Sequence, residues 1–358
     1  MKKDFNINDL VRENVRRLKP YSSARDDFKA ESDKEMVFLD ANENPFETGI
    51  NRYPDPRSSD IRKALASFRG VEESQVMVGN GSDEVLDLLF RAFCEPNVDN
   101  CLTMPPTYGM YGVLAGINAI ENRKVELNED FQPRVNAVLE AQDSYSKLLF
   151  LCSPNNPTGN CFSADLIREL LEGFPGLVVI DEAYIDFSTQ ESWTKQLSNY
   201  SNLVVTQTLS KAYGMAGVRM GIVYASSEII AVLDKIKPPY NVNTLTQSRV
   251  NERLRNKSIV ANEIISILSE KKKLSKALLE IGFISSIYPS DANFLLIKVD
   301  DADRRYREMI DRGLVVRNRS SQPLCENTLR ITIGTPEENK KLITTCKAME
   351  TWDAKYSL

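Results

Sequence analysis

Residues 177–184 read LVVIDEAY, an apolar run that stops abruptly at two acids. Its first four residues are apolar throughout, which is typical of a strand buried on both faces of a parallel sheet. Similar runs occur at 148–152 (LLFLC) and 203–206 (LVVT), and an amphipathic helical pattern occupies 163–171 between them. This alternation predicts an α/β fold, with a large domain whose mostly parallel sheet is flanked by helices on both faces.

Another strand is predicted at 75–79 (QVMVG), on the N-terminal side of these runs. The chain then passes through Asn80 and Gly81 into Ser82, a residue type that favours the N-cap position of a helix. The amphipathic helix predicted at 83–93 follows directly. Strand, glycine turn and helix start therefore lie together.

The last third of the chain has a different pattern. One long helix is predicted at 258–281, followed by shorter strands at 294–299, 315–319 and 329–333. These elements predict a second, smaller C-terminal α/β domain. We therefore expect three segments, namely an N-terminal segment packing on the small domain (1–45), a large domain (46–250) and the small domain (251–358).

Composition excludes several classes of protein. Lys and Arg number 45 against 50 Asp and Glu, a net charge of −5, so the chain lacks the basic surface expected of a nucleic-acid-binding protein. No apolar run approaches the ~18 residues of a membrane span, and the first residues lack the apolar core of a signal peptide. We expect a cytoplasmic protein that binds neither nucleic acid nor membranes.

The cysteine and histidine counts restrict the chemistry. Six cysteines without C-x-x-C spacing predict buried, reduced thiols. The chain has no histidine, which excludes a histidine-based catalytic triad, a histidine general base and a histidine-ligated metal. We predict no metal site. Any proton transfer must use Lys, Tyr, Asp, Glu or Cys.

Polar residues cluster at the predicted strand ends, where ligands bind in open α/β sheets. The groups are 79–84 (GNGSDE), Asn156, Asp181 with Tyr184, and Lys211 with Arg219. Taken singly, each is equally compatible with a structural role. Together they match what pyridoxal phosphate needs: a lysine for its aldehyde, an acid beside its ring nitrogen, a donor for its ring oxygen and an anion pocket. A helix start can hold the phosphate through free N–H groups.

Longer motifs carry a family resemblance along almost the whole chain. They are DANENP (40–45), NRYP (51–54), GSDE (81–84), SPNNPTG (153–159), DEAY (181–184), SKAYG (210–214) and LRITIG (329–334). Through them the chain resembles the fold-type I pyridoxal-phosphate aminotransferases, and most closely the histidinol-phosphate aminotransferases. Tyr213 departs mildly, since the family often has Phe there.

The resemblance implies a role for each matching residue. The catalytic set would be Lys211, which bonds the cofactor aldehyde, Asp181 at the ring nitrogen and Tyr184 at the ring oxygen. The remaining cofactor contacts would be Ser82, Asp83, Tyr108, Asn156, Thr208, Ser210 and Arg219, with Tyr53 reaching the cofactor of a second subunit. The substrate contacts would be Tyr21, Asn156, Arg317 and Arg330. A homodimer with shared active sites is therefore implied.

The implied reaction is transamination between L-histidinol phosphate and 2-oxoglutarate, giving imidazole acetol phosphate and L-glutamate in histidine biosynthesis. An aromatic or broad-specificity aminotransferase, or a threonine-phosphate decarboxylase, could share every cofactor residue. A nucleotide-binding dehydrogenase built on 79–82 is a further alternative, although the G-x-G-x-x-G fingerprint is incomplete. A non-catalytic protein that senses the cofactor would not require the two substrate-side arginines.

Overall fold

The computed structural model describes residues 5–19 and 37–356, with side chains up to residue 350. The longer helices are α1 (Glu13–Arg17), α2 (Ser59–Arg69), α3 (Ser82–Phe93), α4 (Met110–Ile117), α5 (Val135–Ala141), α6 (Ala164–Gly173), α7 (Ser227–Ile236), α8 (Thr244–Arg255), α9 (Lys257–Leu278), α10 (Ala302–Asp311) and α11 (Pro336–Tyr356). The strands are β1 (Val76–Asn80), β2 (Asn100–Thr103), β3 (Glu121–Lys124), β4 (Ser146–Cys152), β5 (Leu177–Asp181), β6 (Leu203–Thr208), β7 (Met220–Ala225), β8 (Ile284–Ile287), β9 (Phe294–Val299), β10 (Arg317–Asn318) and β11 (Thr328–Thr332).

The larger sheet has seven strands in the order β1-β7-β6-β5-β4-β2-β3. Strands β3, β2, β4, β5 and β6 pair in parallel, which confirms the predicted sheet type. Strand β7 is antiparallel to both β6 and β1 and was not predicted. It follows β6 after a short irregular connection, and a connection without a crossover returns the chain antiparallel.

The central strands are buried on both faces, as their apolar sequences predicted. Leu149 and Leu151 of β4 belong to one core cluster, whereas Leu148 and Phe150 belong to another on the opposite face. Helices α2, α6 and α8 contribute apolar side chains to the first cluster, and α3, α4 and α7 contribute to the second. The sheet is thus the middle layer of three.

The smaller sheet has four strands in the order β10-β11-β9-β8, all antiparallel. Side chains of α9, α10 and α11 pack on one face, with Leu274, Met309 and Leu342 in its core. Phe294 lies on the other face and joins the core of the large sheet. The two sheets are therefore in direct contact through this face.

The described part of the N-terminal segment differs from expectation, because residues 5–19 pack on the large domain. Ile7 is buried in the core cluster that contains α3. The backbone N–H of Arg12 donates to the carbonyl of Ala92 at 3.0 Å, and its guanidinium pairs with Glu95. Apolar burial against α3 explains this placement. The rest of the segment, including Tyr21, lies outside the described residues.

The division of the chain near residue 250 falls inside α8, which packs against α2 of the large domain. We propose that the change of domain lies at Asn256, between α8 and α9. All six cysteines are buried and free of disulfides, as predicted. In the described residues, no helix is long and apolar enough to cross a bilayer.

Candidate active site

The site lies where the central strands of the large sheet end. Asp181 is the last residue of β5, and it pairs across the sheet with Cys152, the last residue of β4, and with Thr206 of β6. One cavity opens at this edge of the sheet. Its lining comprises ten residues expected from the sequence, Ser82, Asp83, Tyr108, Asn156, Asp181, Tyr184, Thr208, Ser210, Lys211 and Arg219, together with Cys152 and Ala183.

Asp181 is the buried carboxylate of this cavity, with 3% of its surface exposed. The hydroxyl of Tyr111 donates to its Oδ2 at 2.7 Å, and the backbone N–H of Ala183 donates to its Oδ1 at 3.2 Å. Burial raises the pKa of Asp181, although these hydrogen bonds favour its charged form. Tyr111 was missed by the sequence analysis, because it lies 70 positions away in an ordinary apolar helix.

Lys211 lies at the mouth of the cavity and remains accessible. Its Nζ is 5.6 Å from the ring centre of Tyr184 and makes no hydrogen bond within the described residues. The surrounding protein displaces water from the ammonium and lowers the pKa of Lys211, and Arg330 repels the charge in the same direction. Asp181 and Asp83 act in the opposite direction.

The start of α3 forms an anion pocket beside these residues. Gly81, at φ 89°, is the N-cap, and Ser82 is the first residue of the helix, so the predicted N-cap role of Ser82 is wrong. No side chain caps this end, which leaves first-turn N–H groups for a ligand. A Cβ at Gly81 would come within 2.5 Å of Nη2 of Arg219, so the glycine lets the guanidinium approach.

Tyr108 lies beside this pocket and is held by Asp83. The phenol hydroxyl donates to Oδ1 of Asp83 at 3.0 Å, and Oδ2 of the same carboxylate lies 3.9 Å from Arg219. Burial and the negative charge of Asp83 raise the pKa of Tyr108. The tyrosine therefore stays neutral, with its ring packed edge-on against Tyr111 at 5.5 Å.

The small sheet adds residues to the same site. Arg330 of β11 donates from Nη1 to Oδ1 of Asn156, which lies in the turn after β4. The guanidinium of Arg330 is 5.3 Å from the ring centre of Phe294, and that ring packs edge-on against Tyr184 at 5.2 Å. Arg317 pairs with Arg330 across β10 and β11. Both predicted substrate arginines thus lie near the cavity.

Tyr53 is the predicted cofactor contact that the chain does not bring to this cavity. Its ring stacks on Tyr240 at 4.6 Å, and it lines a separate groove of about 500 Å³. Half of Tyr53 is exposed, at 50%. Its expected partner is a second subunit, which is consistent with a position outside this chain's own cavity.

Comparison with known proteins identifies the family. A sequence profile described as aminotransferase class I and II matches residues 32–345. A histidinol-phosphate aminotransferase of Flavobacterium johnsoniae is 60% identical over 345 residues, covering 96% of this chain and 99% of that protein. The chain belongs to the histidinol-phosphate aminotransferases of class I and II. The dehydrogenase and sensor alternatives are therefore excluded for this aminotransferase.

Solved structures share the fold. The histidinol-phosphate aminotransferase of Clostridium acetobutylicum has a TM-score of 0.78 at 22% identity, covering 85% of this chain and 92% of that chain. That of Sinorhizobium meliloti, solved in complex with pyridoxal-5'-phosphate, has a TM-score of 0.76 at 21% identity, covering 83% and 84%. These likenesses confirm the predicted fold class of the aminotransferase.

Pyridoxal 5'-phosphate is the cofactor of this aminotransferase, and the cavity fits it. The uncapped start of α3 and the nearby guanidinium of Arg219 suit a phosphate dianion. The carboxylate of Asp181 is buried at the base, where a protonated ring nitrogen would compensate its charge. The amine of Lys211 has no competing hydrogen bond within the described residues.

Proposed function

We propose that this aminotransferase transfers the amino group of L-histidinol phosphate to 2-oxoglutarate, which yields imidazole acetol phosphate and L-glutamate in histidine biosynthesis. The observation that carries the proposal is the 60% identity to a histidinol-phosphate aminotransferase over nearly the whole of both chains. The arginines on the small sheet support it, because paired guanidinium groups suit phosphate and carboxylate groups. We also propose that the enzyme is cytoplasmic.

Lys211 is the proposed base. When bound, pyridoxal phosphate draws electrons from the substrate carbon and so makes its proton acidic. The lowered pKa of Lys211 increases the neutral fraction of its amine near neutral pH, and only the neutral amine accepts a proton. Lys211 Nζ takes the proton from the α-carbon of the amino donor.

Asp181 and its neighbours hold the reacting groups in place. Asp181 stabilises a positive charge on the ring nitrogen, and Tyr111 fixes the orientation of the carboxylate through its 2.7 Å hydrogen bond. Tyr184 and Asn156 bind the ring oxygen, and Tyr108 stacks on the ring face. The phosphate would be held by the backbone N–H groups of Ser82 and Asp83 and by the side chains of Thr208, Ser210 and Arg219, which line the cavity.

Substrate binding combines both domains. Arg330 binds the α-carboxylate of L-glutamate in one half-reaction, and Arg317 and Arg330 bind the donor's phosphate in the other. Asn156, which accepts a hydrogen bond from Arg330, belongs to both the cofactor and the substrate contacts. Tyr21 is proposed to contact the substrate from the N-terminal segment.

A homodimer with shared active sites completes the proposal. Tyr53 reaches the cofactor of the second subunit. Apolar side chains around Tyr53 support an interface, since Leu39 is 88% exposed and Phe46 is 77% exposed. Monomeric proteins rarely leave such a cluster in water.

A donor panel tests the reaction. L-histidinol phosphate, L-phenylalanine and O-phospho-L-threonine are each supplied with 2-oxoglutarate, and L-glutamate and carbon dioxide are measured. We expect glutamate from L-histidinol phosphate at a kcat/KM at least ~100-fold above that of the other donors, about 2.7 kcal/mol of discrimination. Faster turnover of phenylalanine, or release of carbon dioxide from phosphothreonine, would contradict the proposal.

The role of Lys211 is tested by a substitution and a matched control. Lys211→Ala should lose the covalent bond to the cofactor and all measurable turnover. Lys272→Ala, on an exposed position of α9, should match the unmodified enzyme. Visible absorbance and mass spectrometry after borohydride reduction report the bond, and an active Lys211→Ala enzyme would refute the assignment.

A further inference from the structure

Three arginines lie on one face of the small sheet, towards the cofactor cavity. Arg317 pairs with Arg330 across β10 and β11. The backbone N–H of Arg319 donates to the carbonyl of Thr328 at 3.0 Å, which continues this pairing beyond β10. Side chains alternate along a strand, so Arg317 and Arg319 point to the same side as Arg330. Leu329, between them in register, points into the core on the opposite side.

Arg319 has no partner for its charge. Within the residues that the structure describes, its side chain makes no hydrogen bond or ion pair, and its Nε is buried without an acceptor. Burial lowers the pKa of Arg319, and the charges of Arg330 and Arg317 lower it further, whereas Tyr184 acts in the opposite direction. The strand register places Arg319 on the same face of the sheet as Arg330.

The electrostatic repulsion among these arginines indicates that the cluster binds an anionic ligand. Arg330 bonds only to the neutral side chain of Asn156, and neither Arg317 nor Arg319 forms a salt bridge in the described part of the chain. Guanidinium groups that are partly removed from water and repel one another are unfavourable until a negative group joins them. A stability role would normally have supplied a carboxylate.

The loop that follows Arg319 also contains buried polar atoms that lack hydrogen-bond partners among the described residues. Ser320 Oγ and Gln322 Oε1 are buried side-chain atoms without a hydrogen-bond partner among the described residues. Gln322 lines a small cavity of about 180 Å³ that also contacts Tyr108 and Thr107. Buried polar atoms are satisfied in most proteins, so several orphans within four residues indicate a site for a polar ligand.

The number of arginines indicates which anionic group binds here. A carboxylate is neutralised by a single guanidinium through two hydrogen bonds, so Arg330 alone suffices for an α-carboxylate. A phosphate dianion has three terminal oxygens and carries up to twice the charge. It can engage several guanidinium groups at once, which matches the three arginines here.

We propose that Arg319 is a specificity-determining residue that binds the phosphate of the amino donor together with Arg317 and Arg330. The assignment rests on the proposed function, since it presumes a phosphorylated donor. Arg319 does not touch the reacting carbon, so it acts on donor binding and not on proton transfer. It also explains selection against donors that lack a phosphate, because these leave the arginine cluster uncompensated.

The test compares Arg319→Gln and Arg319→Lys in the cofactor-loaded enzyme. We expect Arg319→Gln to raise KM for L-histidinol phosphate by ~10- to 100-fold, the range for one charge-assisted hydrogen bond. Its kcat should change less than ~3-fold, and Arg319→Lys should recover part of the loss. Arg312→Gln, an exposed arginine on the same domain, is the matched control and should leave both constants unchanged.

Two further ligands, unphosphorylated L-histidinol and inorganic phosphate, distinguish the loss of a phosphate contact from a general disturbance of the active site. Arg319→Gln should leave kcat/KM for L-histidinol within ~2-fold of the unmodified enzyme, because no phosphate contact is lost. Inorganic phosphate should inhibit the unmodified enzyme competitively against the donor and inhibit Arg319→Gln at least ~10-fold more weakly. Equal losses with both donors, or unchanged phosphate inhibition, would overturn the assignment.

The phosphate measurement also separates this inference from the proposed function. If the donor panel identifies another amino donor, the proposed function fails. Inhibition by inorganic phosphate, measured with that donor in the unmodified enzyme and in Arg319→Gln, still reports whether Arg319 binds a phosphate group. Weaker inhibition in the variant supports the site, and equal inhibition refutes it.

Discussion

At the scale of single residues, the buried carboxylate of Asp181 destabilises the cofactor-free protein but is needed when the cofactor is bound. Its carboxylate is buried at the base of the cavity, and burial raises its pKa. A group whose pKa is higher in the folded than in the unfolded state stabilises the fold below the unfolded pKa. That contribution is lost as pH rises through the folded pKa. The ionised form is the one that a protonated ring nitrogen requires.

Replacing this carboxylate should therefore separate stability from activity. Asp181→Asn removes the group whose ionisation opposes folding, so the cofactor-free variant should be at least as stable as the unmodified protein near pH 7. Below the unfolded pKa of about 3.8 the advantage should disappear. Turnover should fall by ~100-fold or more, since a preorganised charge is lost. Denaturant unfolding across this pH range and steady-state kinetics measure the two effects.

A cofactor-free Asp181→Asn protein that is clearly less stable near pH 7 would contradict this account. Asp130→Asn is the matched control and should leave stability and turnover unchanged, because Asp130 is an exposed carboxylate that does not line the cavity.

Site residues could be predicted from the sequence where they belong to a local motif. Lys211 and Asn156 stand in recognisable segments at strand ends, and the structure brings both to one cavity. Tyr111 and Arg319 could not be found in this way, because their partners are set by packing between elements distant in the chain. Tyr111 lies in an apolar helix, and Arg319 ends a predicted strand, where an arginine has the pattern of an ordinary surface side chain.

At the scale of elements, β7 positions the anion pocket. Its first residues lie beside the end of β1, with Gly221 opposite Gly79 and Met220 opposite Asn80. Arg219 immediately precedes β7, with φ 56°, so the same turn delivers the guanidinium to the start of α3. An antiparallel strand thus contributes its amino end where its neighbours contribute their carboxyl ends.

Gly221 is the closest contact in this arrangement. A Cβ there would lie 2.3 Å from the carbonyl carbon of Gly81 and from the backbone nitrogen of Ser82. Gly221→Ala should therefore displace the start of α3, destabilise the protein by about 1–3 kcal/mol and weaken cofactor binding at least ~10-fold. Denaturant unfolding and a cofactor titration followed by fluorescence measure both effects.

Gly217→Ala is the matched control, since a Cβ at Gly217 meets nothing within 4 Å. If Gly221→Ala binds the cofactor as tightly as Gly217→Ala does, the close approach is not what shapes the pocket.

In the large sheet the sequence predicted β1, β4, β5 and β6 and missed β2, β3 and β7, although β2 and β7 are buried as well. Runs such as residues 148–152 and 177–180 are apolar throughout because helices cover both sides. Strand β3 reads ENRK and lies at the sheet edge, where its polar side chains reach water. Strand β7 follows a glycine-containing segment with only a single 3-10 turn (Ala216–Val218) before it, so the strand–helix alternation is absent here.

At the scale of the whole molecule, residues 37–54 form an apolar surface. Val37, Leu39, Phe46 and Ile50 are all exposed by more than half. Ile50 lines the groove that also contains Tyr53, the residue proposed to reach a second subunit. Burial of this surface would bring both active sites to the interface.

Charge introduced on this surface should separate the subunits. Leu39→Asp with Ile50→Asp should weaken association at least ~10-fold, because desolvating two carboxylates costs more than the apolar burial that they replace. Turnover should fall with it, since each cofactor would lose the contact from Tyr53. Val315→Asp changes a side chain that is 86% exposed on the small domain and should remain a dimer.

Analytical ultracentrifugation at several protein concentrations measures association. An unmodified enzyme that sediments as a monomer, or a double variant that remains dimeric and active, would refute the interface.

The two-sheet organisation was predictable, but the position of the N-terminal segment was not. Both domains offer apolar faces, and the sequence of residues 5–19 gives no preference between them. The choice depends on how Ile7 fits against α3. Local pattern can identify an amphipathic segment without identifying the surface that covers it.

Strand β1 lies at one edge of the large sheet, and among the described residues it pairs with β7 alone. As ribosomal synthesis proceeds from the amino terminus, β1 and α3 emerge more than a hundred residues before β7. A nascent chain that stops before Arg219 lacks both this guanidinium and the pairing strand, so its pocket for the cofactor phosphate is incomplete. We therefore expect vitamin B6 loading only after β7 has left the exit tunnel.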